Sequence, residues 1–169
     1  MRRWQKRLSD LQQLLEQCNS TYMEPDLFRL NVNNFLQTAR TVTFLVQKEK
    51  NSIPDFDRWH LENIAKPWSD DEVMKWAKDS RNKIEKEGDL ELNSLAQTTL
   101  ILGHLPETDQ VIEFPNQSLL FSGTEALVKS AKRILPPDVA NSSLIRIERR
   151  WVAEALPNHE LLYALTVIY

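Results

Sequence analysis

An Arg-Asn pair, Arg81 and Asn82, lies on a segment that is predicted to form one complete helix over residues 69–88. Arg81 follows the apolar Ala77 by four residues, which places it at the margin of the buried face rather than in open solvent. A cation at such a margin needs a carboxylate, a phosphate or a second subunit. Asn82 can fix a backbone group or an anion, and Lys86 lies further along the same helix. We therefore predict Arg81, Asn82 and Lys86 as phosphate-binding or partner-binding residues.

A structural role is the alternative for Arg81. A carboxylate within the helical bundle would pair with the guanidinium of Arg81 and satisfy its charge and hydrogen bonds as well as a phosphate would. The carboxylates that could supply this pair are those of Asp26, Glu62 and Asp79.

Two further groups of basic residues lie beside tryptophans, an arrangement that suits phosphate contact combined with base stacking. These groups are Arg2, Arg3, Lys6 and Arg7 with Trp4, and Arg146, Arg149 and Arg150 with Trp151. The alternative is again structural, since basic residues also complement helix ends and protect exposed strand edges.

The sequence gives no support for a metal site, a catalytic nucleophile or a glycine-rich nucleotide-binding loop. His60, His104 and His159 are isolated, and none has a second His or Cys three or four residues away, so no metal site is predicted. Cys18 lies on the apolar face of the first predicted helix, where a thiol is inert. With 3 glycines in the chain, a glycine-rich phosphate loop is excluded. We therefore predict no cofactor, no metal and no catalytic residue.

Bulk composition is that of a soluble globular protein. The 169 residues predict one domain, or one domain with a smaller appendage, and 41% apolar with 27% charged residues is ordinary. The formal net charge of -3 gives no support to a general nucleic-acid binder and leaves room only for a local basic patch. A single cysteine, no signal-peptide pattern and no apolar run of about 18 residues predict a cytoplasmic protein without a membrane span.

Apolar periodicity predicts an α+β protein, an N-terminal antiparallel helical bundle followed by a small mixed α/β segment. Ser69 and Glu72 fit a capping box at the start of the Arg81 helix, and Gly88 fits its end. Helices are predicted at 2–19, 25–50, 55–66, 69–87, 122–135 and 159–169, and strands at 98–102, 111–114 and 144–148. The composition change near residue 92 predicts two domains, 1–92 and 93–169.

The last predicted helix ends in an apolar run, residues 165–169, without a basic residue or a glycine. Its final carbonyls and its apolar face both need partners. Two interpretations stand equally: a segment truncated from a longer protein, or a C-terminus docked into the core.

The helical half resembles the HEPN superfamily over roughly residues 25–88. The resemblance rests on a long helix after Pro25, a connecting helix, and the helix that carries Arg81 and Asn82. It implies a dimeric helical bundle whose active members are metal-independent RNases with an Arg, a polar residue and a His four to six residues after the Arg. No His follows Arg81 at that distance, so the resemblance implies Arg81 and Asn82 as phosphate contacts without catalysis.

The sequence thus predicts a cytoplasmic, HEPN-like, non-catalytic module that binds RNA or a protein partner and forms a homodimer. One alternative is an RNase of altered chemistry that uses Arg81, Asn82 and Lys86. The other is a structural or regulatory interaction domain of a larger protein, without a nucleic-acid role.

Overall fold

The computed structural model describes residues 2–101, 110–113 and 122–169, and it confirms the α+β class. Short helical turns at Lys50–Ser52 (3₁₀) and Leu61–Ala65 (π) join the longer elements. The helices are α1 Arg3–Ser20, α2 Pro25–Lys48, α3 Phe56–His60, α4 Lys66–Asp70, α5 Glu72–Glu87, α6 Thr124–Arg133, α7 Pro137–Ser142 and α8 Leu161–Ile168. The strands are β1 Leu92–Ile101, β2 Gln110–Glu113 and β3 Leu144–Ala153.

The first two helices form a hairpin on which the rest of the bundle packs. Pro25 opens α2, where its missing N–H leaves no helical hydrogen bond unmade. Apolar side chains at spacings of three and four bury one side of α2 completely, with Phe28, Val32 and Phe35 showing no exposed surface. The α5 helix packs against α2, so the predicted bundle is present.

The segment between α2 and α5 differs from its prediction. The helix begun at Phe56 does not end at Pro67 but continues through a π turn into α4, which runs to Asp70. Pro67 can sit in this helix because it occupies the first turn after the π turn, where a missing N–H is tolerated.

The N-cap of α5 is therefore two residues later than predicted. Ser69 is inside α4, where its hydroxyl donates to the Lys66 carbonyl oxygen at 2.9 Å. Asp71 is the N-cap instead, and its carboxylate accepts from the Met74 backbone N–H at 3.0 Å. Gly88 ends the helix as predicted, at a φ of 94° that favours glycine.

The three described strands form an antiparallel sheet in the order β2-β1-β3. The central strand β1 and the outer strand β3 are both longer than predicted, because pairing and not apolar composition alone sets their ends. Their pairing extends from Leu92 to Ile101 in β1 and from Leu144 to Ala153 in β3. Residues alternate between the two faces of β3. Arg149, Trp151 and Ala153 face inward and are buried, whereas Arg146, Glu148 and Arg150 are exposed.

A single buried cluster draws its residues from α1, α2, α5, β1, β3 and α8. Trp151 of β3 stacks on Phe28 of α2 with ring centroids 5.0 Å apart, so the sheet and the bundle share their core. The domain boundary at residue 92 stays a prediction, although this core contains residues from both sides of it.

The last helix, α8, is docked into this core. Its N-cap is Glu160, whose carboxylate accepts from the Tyr163 backbone N–H at 3.0 Å, so the helix begins at Leu161 and not at the predicted residue 159. Leu161 and Leu165 have no exposed surface, while Tyr163 and Tyr169 remain exposed on the other side. No helix in the described ranges is long and apolar enough to cross a membrane.

The reactivity of the buried Cys18 thiol reports whether this core is folded. Burial raises its pKa to about 12, against about 8.5 in an unfolded chain. We expect dithionitrobenzoate at pH 8.5 to label the native protein very slowly and the urea-unfolded protein at once. Because the folded pKa is the higher one, the contribution of the thiol to stability is full below about pH 8.5 and decreases as the pH rises towards 12.

Urea melts at pH 8 and pH 10 measure this dependence, with Cys18→Ala as the control. From pH 8 to pH 10, the urea midpoint of the variant should fall by less than that of the wild type. An equal loss in both proteins would assign the pH dependence to other groups.

Candidate functional site

Arg81 lies at the margin of the buried face of α5, as predicted, with 25% of its side chain exposed. Its Nη1 lies 2.5 Å from Glu85 Oε2, and it also donates to Asn82 Oδ1 at 3.2 Å. The structural alternative had named other carboxylates as partners. The actual partner, Glu85, lies one turn along the same helix. An exposed ion pair at this spacing adds only about 0.3–0.5 kcal/mol to the stability of the fold.

Arg40 of α2 is the second arginine of this region, and no sequence pattern pointed to it. Its guanidinium carbon lies 4.5 Å from the ring centroid of Phe44 and 5.7 Å from that of Trp68. Its Nη1 donates to the Thr43 hydroxyl at 3.3 Å. No ion pair joins Arg40 to a carboxylate of the described residues.

The two arginines are close enough to interact electrostatically. Burial lowers the pKa of Arg40, and the positive charge of Arg81 lowers it further. Like charge on a neighbouring helix thus adds to the effect of burial in disfavouring the charged form of Arg40.

Lys86, the third predicted residue, lies on a different part of α5. It is exposed, and it shares the outer side of the helix with Lys75, Lys78 and Asn82, which are spaced three or four residues apart. We call Lys75, Lys78, Asn82 and Lys86, together with Arg81 at their margin, the α5 basic row. The row is about 16 Å long at 1.5 Å per residue.

The opposite margin of α5 borders a groove of acidic character. The groove has a volume of about 470 Å³, and Glu91, Glu154 and Lys83 are among its lining residues. A hydrogen bond between the two carboxyls lowers the pKa of Glu91 and raises that of Glu154. Lys83 Nζ lies 3.3 Å from Glu91 Oε2. These groups are solvated, and no cluster in the described residues has the composition of a metal site.

The remaining candidate residues are separate from this region. His60 shares a hydrogen bond of 3.0 Å with Gln47, His159 is partly buried near α8, and His104 lies outside the described residues. Cys18 is buried, as predicted. Arg149 is also buried and bonds to protein groups, which removes it from the predicted nucleic-acid contacts, whereas Arg146 and Arg150 stay exposed.

Comparison with known proteins identifies the family. The family model described as bacteriophage lambda protein ea47 matches residues 1–169. Protein ea47 of Escherichia phage lambda is 52% identical over 167 residues, which cover 98% of this chain. The chain spans 40% of the length of that relative. No solved structure matches the chain significantly.

These matches overturn the HEPN resemblance. That interpretation rested on two adjacent residues, Arg81 and Asn82, within a helical bundle, whereas the family match covers every residue of the chain. Short motifs on a bundle helix recur by chance, and many unrelated folds share the capped amphipathic helix that carries them. The chain belongs to the bacteriophage lambda ea47 family.

Proposed function

We propose that this chain is a non-catalytic, cytoplasmic module that binds single-stranded RNA through the α5 basic row. The observation that carries the proposal is the exposed line of Lys75, Lys78 and Lys86 beside Arg81 and Asn82. Lysines on one side of a helix can each neutralise a phosphate and release its counterion. This local surface supplies the positive charge for phosphate contacts that the net charge of -3 of the whole chain does not indicate.

The arrangement favours binding over cleavage. Cleavage of RNA without a metal needs a group that takes a proton from the attacking hydroxyl. A lysine amine serves as such a base when it is buried, and Lys86 is exposed. Arg81 and Asn82 are bonded to each other and supply donors for an anion instead.

Fluorescence anisotropy with a labelled single-stranded 12-mer RNA tests the proposal. We expect Lys78→Gln with Lys86→Gln to weaken binding about 25-fold at 0.1 M salt, a factor of about 5 for each lost phosphate contact. The slope of log affinity against log salt should fall by about 1.4. Gel analysis of the same mixture should recover the RNA intact.

The matched control is Lys129→Gln with Lys132→Gln, an equal charge change on exposed residues of α6. It should leave both the affinity and the salt slope close to those of the wild type. The absence of salt-dependent binding by the wild type, or an equal loss in the control pair, would overturn the proposal. Cleavage that Arg81→Ala abolishes would favour the RNase alternative.

The protein partner and the homodimer predicted from the sequence stay predictions. Sedimentation equilibrium measures the mass that decides for or against the dimer.

A further inference from the structure

The groove beside α5 carries more negative than positive charge, and we call it the acidic groove. The carboxylates of Asp79, Glu91 and Glu154 line it together with the ammonium of Lys83. Lys83 Nζ lies 3.3 Å from Glu91 Oε2 and 3.9 Å from Glu87 Oε2, so two carboxylates share its charge. Among the described residues no ion pair involves Asp79 or Glu154. A cation from outside the chain would therefore meet unpaired carboxylates in this groove.

Glu91 and Glu154 face each other at the end of the sheet. Leu92 of β1 pairs with Ala153 of β3, so the two glutamates are the next pair along. The Glu154 backbone N–H donates to the Glu91 carbonyl oxygen at 3.4 Å, and the two carboxyl groups are close enough to share a hydrogen bond. Like charges directly opposite each other in an antiparallel pair are destabilising. A cation held between the two carboxylates would remove this repulsion.

A buried hydroxyl in the same groove lacks a hydrogen-bond partner. Ser80 of α5 lines the groove and is only 6% exposed. A serine inside a helix can donate to the carbonyl four residues back, but no hydrogen bond joins the Ser80 side chain to any residue that the structure describes. A buried hydroxyl without a partner is costly, so a ligand that bonds to it is favoured.

We infer that the acidic groove binds an alkylammonium group, which is the chemistry of a polyamine or of a lysine side chain. The three N–H donors of an ammonium match the carboxylates of Glu91 and Glu154 and the hydroxyl of Ser80. Trp76 and Leu90 supply apolar lining for the carbon chain. A metal ion is a poorer match, because no group of the described carboxylates converges as metal ligands do.

A second groove shares the glutamate pair. It has a volume of about 380 Å³, and Glu91 and Glu154 line it together with Asp26 of α2. Asp26 forms no ion pair with any described residue, whereas Arg29 in the same groove is paired with Asp89. A chain that carries two ammonium groups can therefore occupy both grooves. Because the second contact is then intramolecular, such a chain should bind more tightly than a monoamine.

Amide chemical shifts of the ¹⁵N-labelled protein, followed by NMR at constant ionic strength, measure the binding of propylammonium. We expect Glu154→Gln to weaken binding about tenfold and Ser80→Ala about threefold, for the loss of one charged and one neutral hydrogen bond. Glu148→Gln removes an exposed carboxylate from the same strand and, as the matched control, should bind as the wild type does. Tetramethylammonium, which has the charge but no N–H donor, should bind at least about tenfold more weakly than propylammonium.

Lys83→Gln should give a gain in binding that a misfolded variant would not show. It removes the resident cation that competes for Glu91, and we expect it to tighten propylammonium binding about threefold. Lys48→Gln, an equal charge change on an exposed residue of α2, should leave binding unchanged. The inference would be overturned by a wild type that does not bind, by unchanged binding in Glu154→Gln or Ser80→Ala, or by weaker binding in Lys83→Gln. Equal binding of tetramethylammonium would also overturn it.

Spermidine and an acetylated, amidated Lys-Gly-Lys peptide distinguish the source of the ammonium. Spermidine that binds more tightly than propylammonium, and loses this advantage in Asp26→Asn, assigns the two grooves to a free polyamine. A peptide that binds more tightly than either amine assigns them to a basic segment of a protein. Equal binding of all three probes would sustain the acidic groove as the ammonium site and overturn the joint use of the second groove. The site shares no residue with the α5 basic row, so these outcomes are independent of RNA binding.

Discussion

Trp151→Ala is expected to lower the free energy of unfolding by about 4 kcal/mol. The Trp151 side chain is 1% exposed and stacks on Phe28 at 5.0 Å, so truncation leaves a large cavity between β3 and α2. It also removes the indole N–H that donates to the Tyr22 carbonyl oxygen at 2.9 Å. That oxygen then lies partly buried without this partner, which adds to the loss.

Urea unfolding followed by circular dichroism measures the loss. Trp151→Phe keeps a stacked ring but not the N–H, and it should cost about 1–2 kcal/mol. Trp59→Ala is the control, because Trp59 is 38% exposed and stands outside the core cluster, and it should cost less than about 1 kcal/mol. A wild-type-like midpoint for Trp151→Ala would contradict the shared core.

The same substitution bears on the predicted boundary at residue 92. Trp151 belongs to the C-terminal segment, yet its ring stacks on Phe28 and its indole N–H donates to the Tyr22 carbonyl oxygen, both in the N-terminal segment. If both segments unfold together, circular dichroism and the reactivity of Cys18 should report one shared midpoint, shifted equally by Trp151→Ala. Separate midpoints would support two domains.

Helices were predictable here because their signal is local. Repeated apolar spacing marks α1, α2 and α5, and Gly88 stops α5 where the backbone needs a left-handed residue. The N-cap at Ser69 was wrong for a reason the local pattern hides. Ser69 fits a capping box, but α4 runs through its position and leaves Asp71 as the first residue with extended backbone.

The candidate site was only half predictable. The position of Arg81 at the margin of the buried face follows from periodicity along α5, and its side chain is 25% exposed there. Arg40 becomes visible only when α2, α4 and α5 are brought together, since Trp68 is far from it in sequence. The spacing of Arg40 and Phe44, four residues on one helix, was the one local signal available.

The burial of Arg149 could have been inferred from alternation. Ile145 and Ile147 alternate with the charged Arg146 and Glu148 and so mark the apolar side of β3, and a strand returns to the same side every second residue. Arg149 and Trp151 therefore belong inside with it, away from nucleic acid. The basic composition of the segment concealed this periodicity.

Arg149→Met is expected to lower the free energy of unfolding by about 3 kcal/mol. The guanidinium is buried, and it donates to Ser94 Oγ at 3.0 Å and to the Ser122 carbonyl oxygen at 2.5 Å. Burial lowers the pKa of Arg149, while the charge of Glu24 raises it. Methionine keeps most of the apolar stem of the arginine. The drop in the free energy of unfolding therefore reports the loss of the guanidinium and of its hydrogen bonds to Ser94 and Ser122.

Arg146→Met is the matched control, since Arg146 lies on the exposed face of the same strand and should cost less than about 0.5 kcal/mol. Arg149→Lys keeps the charge but has no planar fork to reach both acceptors, so an intermediate loss is expected. If Lys restored full stability, charge alone would explain the role of Arg149. If Met were as stable as the wild type, the buried network would be replaceable by apolar packing, as some buried ion pairs are. The expected order of stability, Arg above Lys above Met, requires that both the charge and the geometry of Arg149 hold the segment before α6 against the sheet.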